Sequence, residues 1–345
     1  MQNIYNYSRD LLNEYMLSLG EKTYKSTQVF EWLYDKGVTS FDEMTNIKKD
    51  VIDKLKKDFT FDMIELTKEE KDKDAYKYLF KLKDNNYIEA VIMEHDYGTS
   101  ICVSSEVGCN MGCAFCESGR RKKVRNLETY EMVEQIILVQ NKLNKRISSV
   151  VVMGIGEPFD NYDNVINFLK IINDAKGLAI GARHITVSTC GLIPKILEFA
   201  ELPYQFNLAL SLHAPNDEIR NKLMPINKVY SISKVMSALD EYYAKTNRRI
   251  TIEYVMLKGV NDSLDNAQEL ANLLKNKNVY VNLIPYNETS HIEFHKTDHE
   301  NILKFGKVLM DNNITVTIRK EYGGKISAAC GQLRSKEEEI WNHFT

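Results

Sequence analysis

Ser149-Val-Val-Val-Met153, followed at once by Gly154-Ile-Gly-Glu-Pro158, is the stretch on which the fold turns. A short run of β-branched residues that stops at a glycine pair reads as a buried strand ending in a tight turn. As a dinucleotide fingerprint the turn fails, because Phe159 takes the third glycine position and Pro158 interrupts it. The same kind of unit recurs on both sides. Strand candidates Ile185–Ser188, Asn207–Leu212, Thr251–Leu257, Tyr280–Ile284 and Thr315–Arg319 alternate with helical stretches. These are Glu131–Leu143, Asn164–Ala175, Ile232–Tyr243, Leu264–Leu274 and Asn301–Asn312. The alternation predicts an α/β fold with a parallel sheet, in a barrel or an open partial barrel. In such barrels chemistry gathers at the C-terminal ends of the strands.

Further out the pattern changes. Apolar residues at helical spacing from Ser8 to Lys57 predict a small helical module. The charge-rich stretch from Glu65 to Lys77 reads as a solvated turn or linker. Tyr78, Phe80 and Leu82, then Ile88, Val91 and Met93 across a turn at Asp84 to Asn86, predict a β-hairpin. The resulting division is a helical accessory domain at 1–62, a linker and hairpin at 63–98, a barrel at 99–333 and a tail at 334–345.

The 345 residues are 43% hydrophobic and 27% charged, with net charge −3. That balance excludes a globally basic nucleic-acid coat but leaves room for a local basic patch. No apolar run approaches the roughly 18 residues of a membrane span. Met1 to Asp10 lacks the blocks of a signal peptide. A cytoplasmic protein with no membrane partner is expected.

Three of the six cysteines fall within eight residues, Cys109-Asn-Met-Gly-Cys113-Ala-Phe-Cys116. Three thiolates so spaced can hold three irons of a [4Fe-4S] cluster, which ordinarily takes four cysteines, and leave one iron open. An open iron can chelate the amino and carboxylate groups of S-adenosylmethionine (SAM). Structural zinc would want a fourth ligand in paired spacing, and no second pair follows. The run, with Phe115 before its last cysteine, resembles the radical-SAM superfamily. Beside it, Gly156 and Glu157, Ser188, Ser211-Leu212-His213 and Asn287 fall at successive strand ends, where a ligand-lined mouth needs polar groups. Gly156 would let the backbone approach SAM, and Glu157 would accept from its ammonium group. The others would meet its ribose and adenine.

Further strings narrow the substrate: Cys102-Val-Ser-Ser-Glu-Val-Gly-Cys109, Arg125-Asn-Leu127, Met153-Gly-Ile-Gly-Glu-Pro158, Leu210-Ser-Leu-His-Ala-Pro-Asn216, Leu223-Met-Pro-Ile-Asn227, Tyr254-Val-Met-Leu257, Gly259-Val-Asn-Asp262 and Ala328-Ala-Cys-Gly-Gln-Leu333. Together they closely resemble the RlmN/Cfr family of radical-SAM RNA methyltransferases, over nearly the whole chain. The resemblance implies a partial (β/α)6 barrel and methylation of an adenine ring carbon in 23S ribosomal RNA. Transfer RNA is a further substrate of some members. It implies two SAM molecules per turnover, one methylating Cys330 and one supplying the radical that activates that methyl group. By motif Cys102 matches the resolving cysteine and Glu89 the proton acceptor. A reducing, flavodoxin-like electron donor and a monomeric state are also implied. Gly156-Glu-Pro158 and Leu283-Ile-Pro-Tyr-Asn287 are closer to the carbon-2 branch (RlmN) than to the carbon-8 branch (Cfr), whose products confer antibiotic resistance. A non-catalytic RNA-binding module with a structural metal is the reading from another class, and Cys102, Cys330 and Glu89 argue against it.

Cys190 has no role in that scheme and reads as a small buried residue. Arg120, Arg121, Lys122, Lys123 and Arg125 place five positive charges in six residues directly after the cysteine run, where phosphates would lie. The family has a more glycine-rich stretch there. His291, His295 and His299 repeat every four residues, but no carboxylate orients them, and a polar loop is expected.

Overall fold

The computed structural model describes residues 1–120, 122–289 and 291–319. Three helices open the chain: α1 (Arg9–Ser18), α2 (Tyr24–Tyr34) and α3 (Lys49–Asp58). Ser8 caps α1 by accepting from Leu11 N, and the apolar stripe of each helix is buried. A two-residue parallel pairing of Gln2–Asn3 with Phe59–Thr60 ties the module's ends together.

Four strands follow, β1 (Glu65–Asp72), β2 (Ala75–Lys81), β3 (Tyr87–His95) and β4 (Gly98–Val103), as an antiparallel meander. From β4 onward strands and helices alternate: α4 (Thr129–Leu143), β5 (Ile147–Val152), α5 (Tyr162–Asn173), β6 (Ile185–Thr189), α6 (Ile193–Ala200), β7 (Asn207–Ser211), α7 (Asp217–Leu223), α8 (Ile232–Thr246), β8 (Ile250–Met256), α9 (Leu264–Leu274), β9 (Val279–Pro285), α10 (His299–Asp311) and β10 (Thr315–Ile318). Each pair from β4·β5 to β9·β10 is parallel. This is the expected partial (β/α)6 barrel, extended by one more strand at its end. All ten strands form one sheet whose spatial order equals chain order.

One expectation is corrected. Glu65 to Lys77 is no solvated linker: its first part is β1, the sheet's edge, with Glu70 opposite Lys77 and Glu69 opposite Tyr78. Its charges sit where an edge strand needs them, since an apolar edge would invite pairing with another chain. The hairpin of β2 and β3 is continuous with the barrel through β3·β4.

The pleat divides the residues between two faces. Ile88, Ala90 and Ile92 of β3, Ile101 and Val103 of β4, Val187 of β6 and Leu210 of β7 point into the main core, shared with the helices and the N-terminal module. That module is joined to the barrel by Asn6, which accepts from Tyr130 N at 2.9 Å and whose carbonyl accepts from Asn167 at 2.7 Å. The alternate residues face the other side, where the site lies.

Candidate active site

The cysteine run occupies the loop between β4 and α4. An antiparallel pairing of Glu106–Val107 with Arg125–Asn126 closes that loop. Arg125 grips both carboxylate oxygens of Glu131, at 2.7 and 2.8 Å, and reaches Asp84 at 2.6 Å. Lys123 is held between Glu106 at 2.6 Å and Asp160 at 2.7 Å. The loop is fastened at its far side too, where Ala114 N donates to Leu223 O at 2.9 Å.

Cys109, Cys113 and Cys116 carry free thiols and line one cavity. Burial pushes the Cys109 thiol up to about 12, and it also raises Cys113 and Cys116, with the neighbouring thiols adding to the effect at Cys113. Such thiols stay protonated until a metal centre displaces their protons. Among the described residues no three His, Cys, Asp or Glu side chains converge as a single ion requires. Three thiols distributed along one cavity instead suit a polynuclear cluster, which takes each at a different iron.

The rest of the cavity is built from strand ends. Gly154 and Gly156 follow β5. A Cβ on Gly156, whose φ is +110°, would meet the Glu106 side chain at 2.6 Å, and one on Gly154 would meet the Val103 backbone at 2.7 Å. Side chains are therefore excluded from both positions, and the turn comes close to β4. Glu157 is buried, and burial raises its carboxyl above the ordinary range. Its oxygens accept from Phe159 N at 3.1 Å and Cys190 N at 2.8 Å, which fix it as an oriented acceptor. The Ser188 and Ser211 hydroxyls lie 3.2 Å apart.

His213 has left-handed backbone, φ 57°, and its ring is edge-on to Phe115 at 4.8 Å. Its Nδ1 accepts from Val255 N at 3.1 Å, so the proton of the neutral ring is on Nε2. Burial, and then the Arg220 guanidinium, push this imidazole down to about 3. It enters the cavity as a fixed neutral donor.

Not every anticipated contact reaches the cavity. Leu212 points into the main core, so only its backbone is available. Asn287 is half-buried beside Tyr286, which does line the cavity. Glu253, Tyr286 and Arg319 line it without having been anticipated. Glu253 had a signal in the sequence: a carboxylate in mid-strand within an apolar run. It accepts from Asn282 at 3.0 Å and lies 3.9 Å from Arg319.

Glu89 and Cys102 sit inside β3 and β4. Val91 is opposite Cys102, which packs with Val91 and Ile155 in a small apolar cluster adjoined by Met153 of the cavity wall. Glu89 is 2% exposed and faces the buried Lys77 ammonium at 3.6 Å; Lys77 also reaches Glu70 at 3.0 Å. Cys330 and Arg121 lie outside the described residues.

The described cations of the basic segment fall into two pairs. Lys123 and Arg125 are consumed by the carboxylates that clamp the loop, so their expected role in meeting phosphates gives way to an internal one. Arg120 is exposed and donates to the His291 carbonyl, and Lys122 is exposed. His291 is near Glu117 at 3.6 Å and His295 near Glu288 at 3.5 Å, so these imidazoles turn to different carboxylates. Cys190 is buried in the cluster that packs Phe115 against Met224 and Tyr286, beside Cys113 and Cys116.

Comparison with known proteins agrees with this layout. Residues 103–274 match the radical SAM superfamily, and residues 2–60 match the ribosomal RNA large subunit methyltransferase N-terminal domain. The chain is 54% identical to a probable dual-specificity RNA methyltransferase RlmN of Enterococcus faecalis, over 97% of each chain. It is 49% identical to a protein of the same description from Spiroplasma citri, over 99% of each. A crystal structure of a radical SAM methyltransferase from Sphaerobacter thermophilus superposes with a TM-score of 0.90 at 38% identity, covering 97% of this chain and 99% of that one.

Proposed function

Because the chain belongs to the RlmN family of radical-SAM RNA methyltransferases, we propose that it methylates carbon 2 of a specific adenine in 23S ribosomal RNA, and an adenine of transfer RNA, through a methylated Cys330. The family carries a [4Fe-4S] cluster and uses SAM. The observation that carries the reading is a single cavity lined by three unpaired thiols, an oriented carboxylate and the strand-end serines. The dual specificity in the description of the Enterococcus faecalis and Spiroplasma citri relatives supports two RNA substrates.

When bound, the cluster and SAM supply an electron and a hydrogen-abstracting radical. The residues of this chain do the rest. Cys109, Cys113 and Cys116 hold the cluster. Glu157, fixed by two backbone N–H groups, accepts from the ammonium of SAM, while Ser188 and Ser211 meet its ribose and the His213 Nε2–H donates into the same cavity. Cys330 carries the methyl group to the adenine. Glu89 accepts the ring proton. Cys102 forms a disulfide with Cys330 as the methylated base leaves.

Mass spectrometry of ribosomal RNA bearing adenine deuterated at carbon 2 or carbon 8 tests the proposal. Deuterium is expected to leave carbon 2 and stay at carbon 8. Loss from carbon 8 would establish the other branch of chemistry, and retention at both would overturn the proposal.

A further inference from the structure

Arg220 is a fully buried arginine in α7. The same helix ends at Leu223, whose carbonyl accepts from Ala114 N at 2.9 Å, so the helix that carries Arg220 is fastened to the cysteine loop. Its donors all find partners. Nε donates to Leu212 O at 3.2 Å, Nη1 to Asn227 Oδ1 at 2.8 Å and Tyr230 O at 3.3 Å, and Nη2 to Cys190 O at 2.7 Å and Ser211 O at 3.4 Å.

Every one of those acceptors is uncharged. The hydrogen-bonding capacity of the guanidinium is satisfied and its charge is not. Among the described residues no carboxylate lies within ion-pair distance of Arg220. The Asp217 carboxylate is hydrogen-bonded to Asn227, whose Nδ2 donates to Asp217 Oδ1 at 2.8 Å, and its charge reaches the guanidinium only from beyond ion-pair distance. An arginine does not escape the cost of burial by losing its proton, so an anion must offset it. The groups around it name that anion. Cys190, whose carbonyl Arg220 holds, packs in one cluster with Cys113 and Cys116. The guanidinium opposes the upward push of burial at Cys113.

We propose that Arg220 is the built-in counter-cation of the iron–sulfur cluster and raises its reduction potential. An added electron deepens the negative charge of a thiolate-bound cluster, and a fixed cation in a low-dielectric setting stabilises the more negative state. The inference rests on Cys109, Cys113 and Cys116 being the cluster ligands.

The test is a redox titration, followed by electron paramagnetic resonance, of the full-length protein reconstituted with iron and sulfide, without SAM or RNA. A parent protein that binds no cluster, or a Cys113→Ala variant that binds it fully, would break the ligand assignment rather than the role of Arg220. With the cluster in place, Arg220→Gln removes the charge. It is expected to lower the reduced-to-oxidised ratio at the parent midpoint about tenfold, equivalent to ~59 mV for one electron. Arg220→Lys keeps the charge with fewer donors, so it is expected to lose thermal stability and hold the parent midpoint. Asp217→Asn, close in shape, removes the distant carboxylate and is expected to shift the midpoint slightly positive. A parent-like midpoint in Arg220→Gln, or an equal fall in Arg220→Lys, would overturn the proposal. If the Arg220 variants fail to load the cluster, Asp217→Asn decides, and an unchanged or more negative midpoint overturns it.

Discussion

The sheet has a parallel part, β4 to β10, and an antiparallel part, β1 to β4, and they carry functional groups in opposite ways. In the parallel part polar residues stand at strand ends: Glu157 beyond β5, Ser188 near the end of β6, Ser211 and His213 where β7 stops. Strand interiors there are mostly apolar, and Glu253 is the one charged residue within them. In the antiparallel part Lys77 and Cys102 lie within strands paired on both sides, and Glu89 is paired with Leu79 on one side while its carbonyl accepts from Ser104 Oγ at 2.6 Å. A strand end can tolerate substitution because the loop beyond it can adjust. A buried charge in mid-strand has no such freedom. Changes at the parallel ends should therefore cost ligand and spare the fold, save at His213, whose buried ring accepts from Val255 N, while changes in the antiparallel interior should cost the fold itself.

The largest effect is expected for Cys113→Ala. Losing one of three thiolates should abolish cluster binding and all methyl transfer while leaving urea unfolding of the cluster-free protein within about 1 kcal/mol of the parent. Iron and sulfide analysis together with denaturation checks both halves of that statement. A collapse of the fold would break the comparison.

The second prediction concerns pH. The buried His213 is pushed down to about 3, whereas the unfolded chain takes up the proton near 6.5. The lowered value means that the stability contributed by the neutral ring is fully present above about pH 6.5 and is lost as pH falls toward 3. The full span is on the order of 5 kcal/mol. His213→Asn tolerates the left-handed backbone and does not titrate in this range. The difference in unfolding free energy between parent and variant should therefore shrink as the solution is acidified from pH 7 to pH 4. A constant difference would show that the ring does not stay neutral.

Third, Lys77→Met takes from Glu89 the buried ammonium 3.6 Å away, while Glu70 keeps Lys68 at 3.2 Å. Breaking a buried pair from one side should cost about 3 kcal/mol, read from the urea midpoint. A stable variant would erase the contrast between the two parts of the sheet.

The smallest effects distinguish neighbours in the basic run. Lys122→Ala should reduce RNA affinity modestly and lower the salt slope of binding by about one counterion. Lys123→Ala should leave that slope unchanged and destabilise the loop that Glu106 and Asp160 hold. Binding isotherms at several salt concentrations separate the two.

Much of this layout was readable beforehand, for physical reasons. Strand–helix alternation and the cysteine spacing are local patterns, and both are found where the sequence puts them. β1 was not readable because most of its side chains face solvent, which erases the two-residue period that marks a strand. The clamping of Lys123 and Arg125 was hidden as well. Their partners Asp160, Asp84 and Glu106 are distant or unremarkable in sequence, so a run of like charges looked like a free surface. Leu212 and Ser211 are adjacent and polar-apolar alternation alone separates them, yet the string that carries both treats them alike. Arg220 is a helical arginine like many others until its acceptors are counted. Glu89 and Cys102 were legible only through resemblance, since nothing in a strand's own pattern distinguishes a reactive interior residue from a packed one.

The coincidence of spatial and chain order in the sheet bears on how the protein is made. Each strand's neighbour is the strand synthesised just before it, so no strand has to wait for a distant partner. As the chain leaves the ribosome, the charged edge β1 comes first and every later strand adds to a template already present. Apart from the charged β1, the edge exposed during synthesis is the newest strand, and the next strand covers it. Nascent chains truncated after β7 should already protect the backbone amides of β2 to β6, which places the assembly of the cysteine loop's surroundings before the arrival of the last strand.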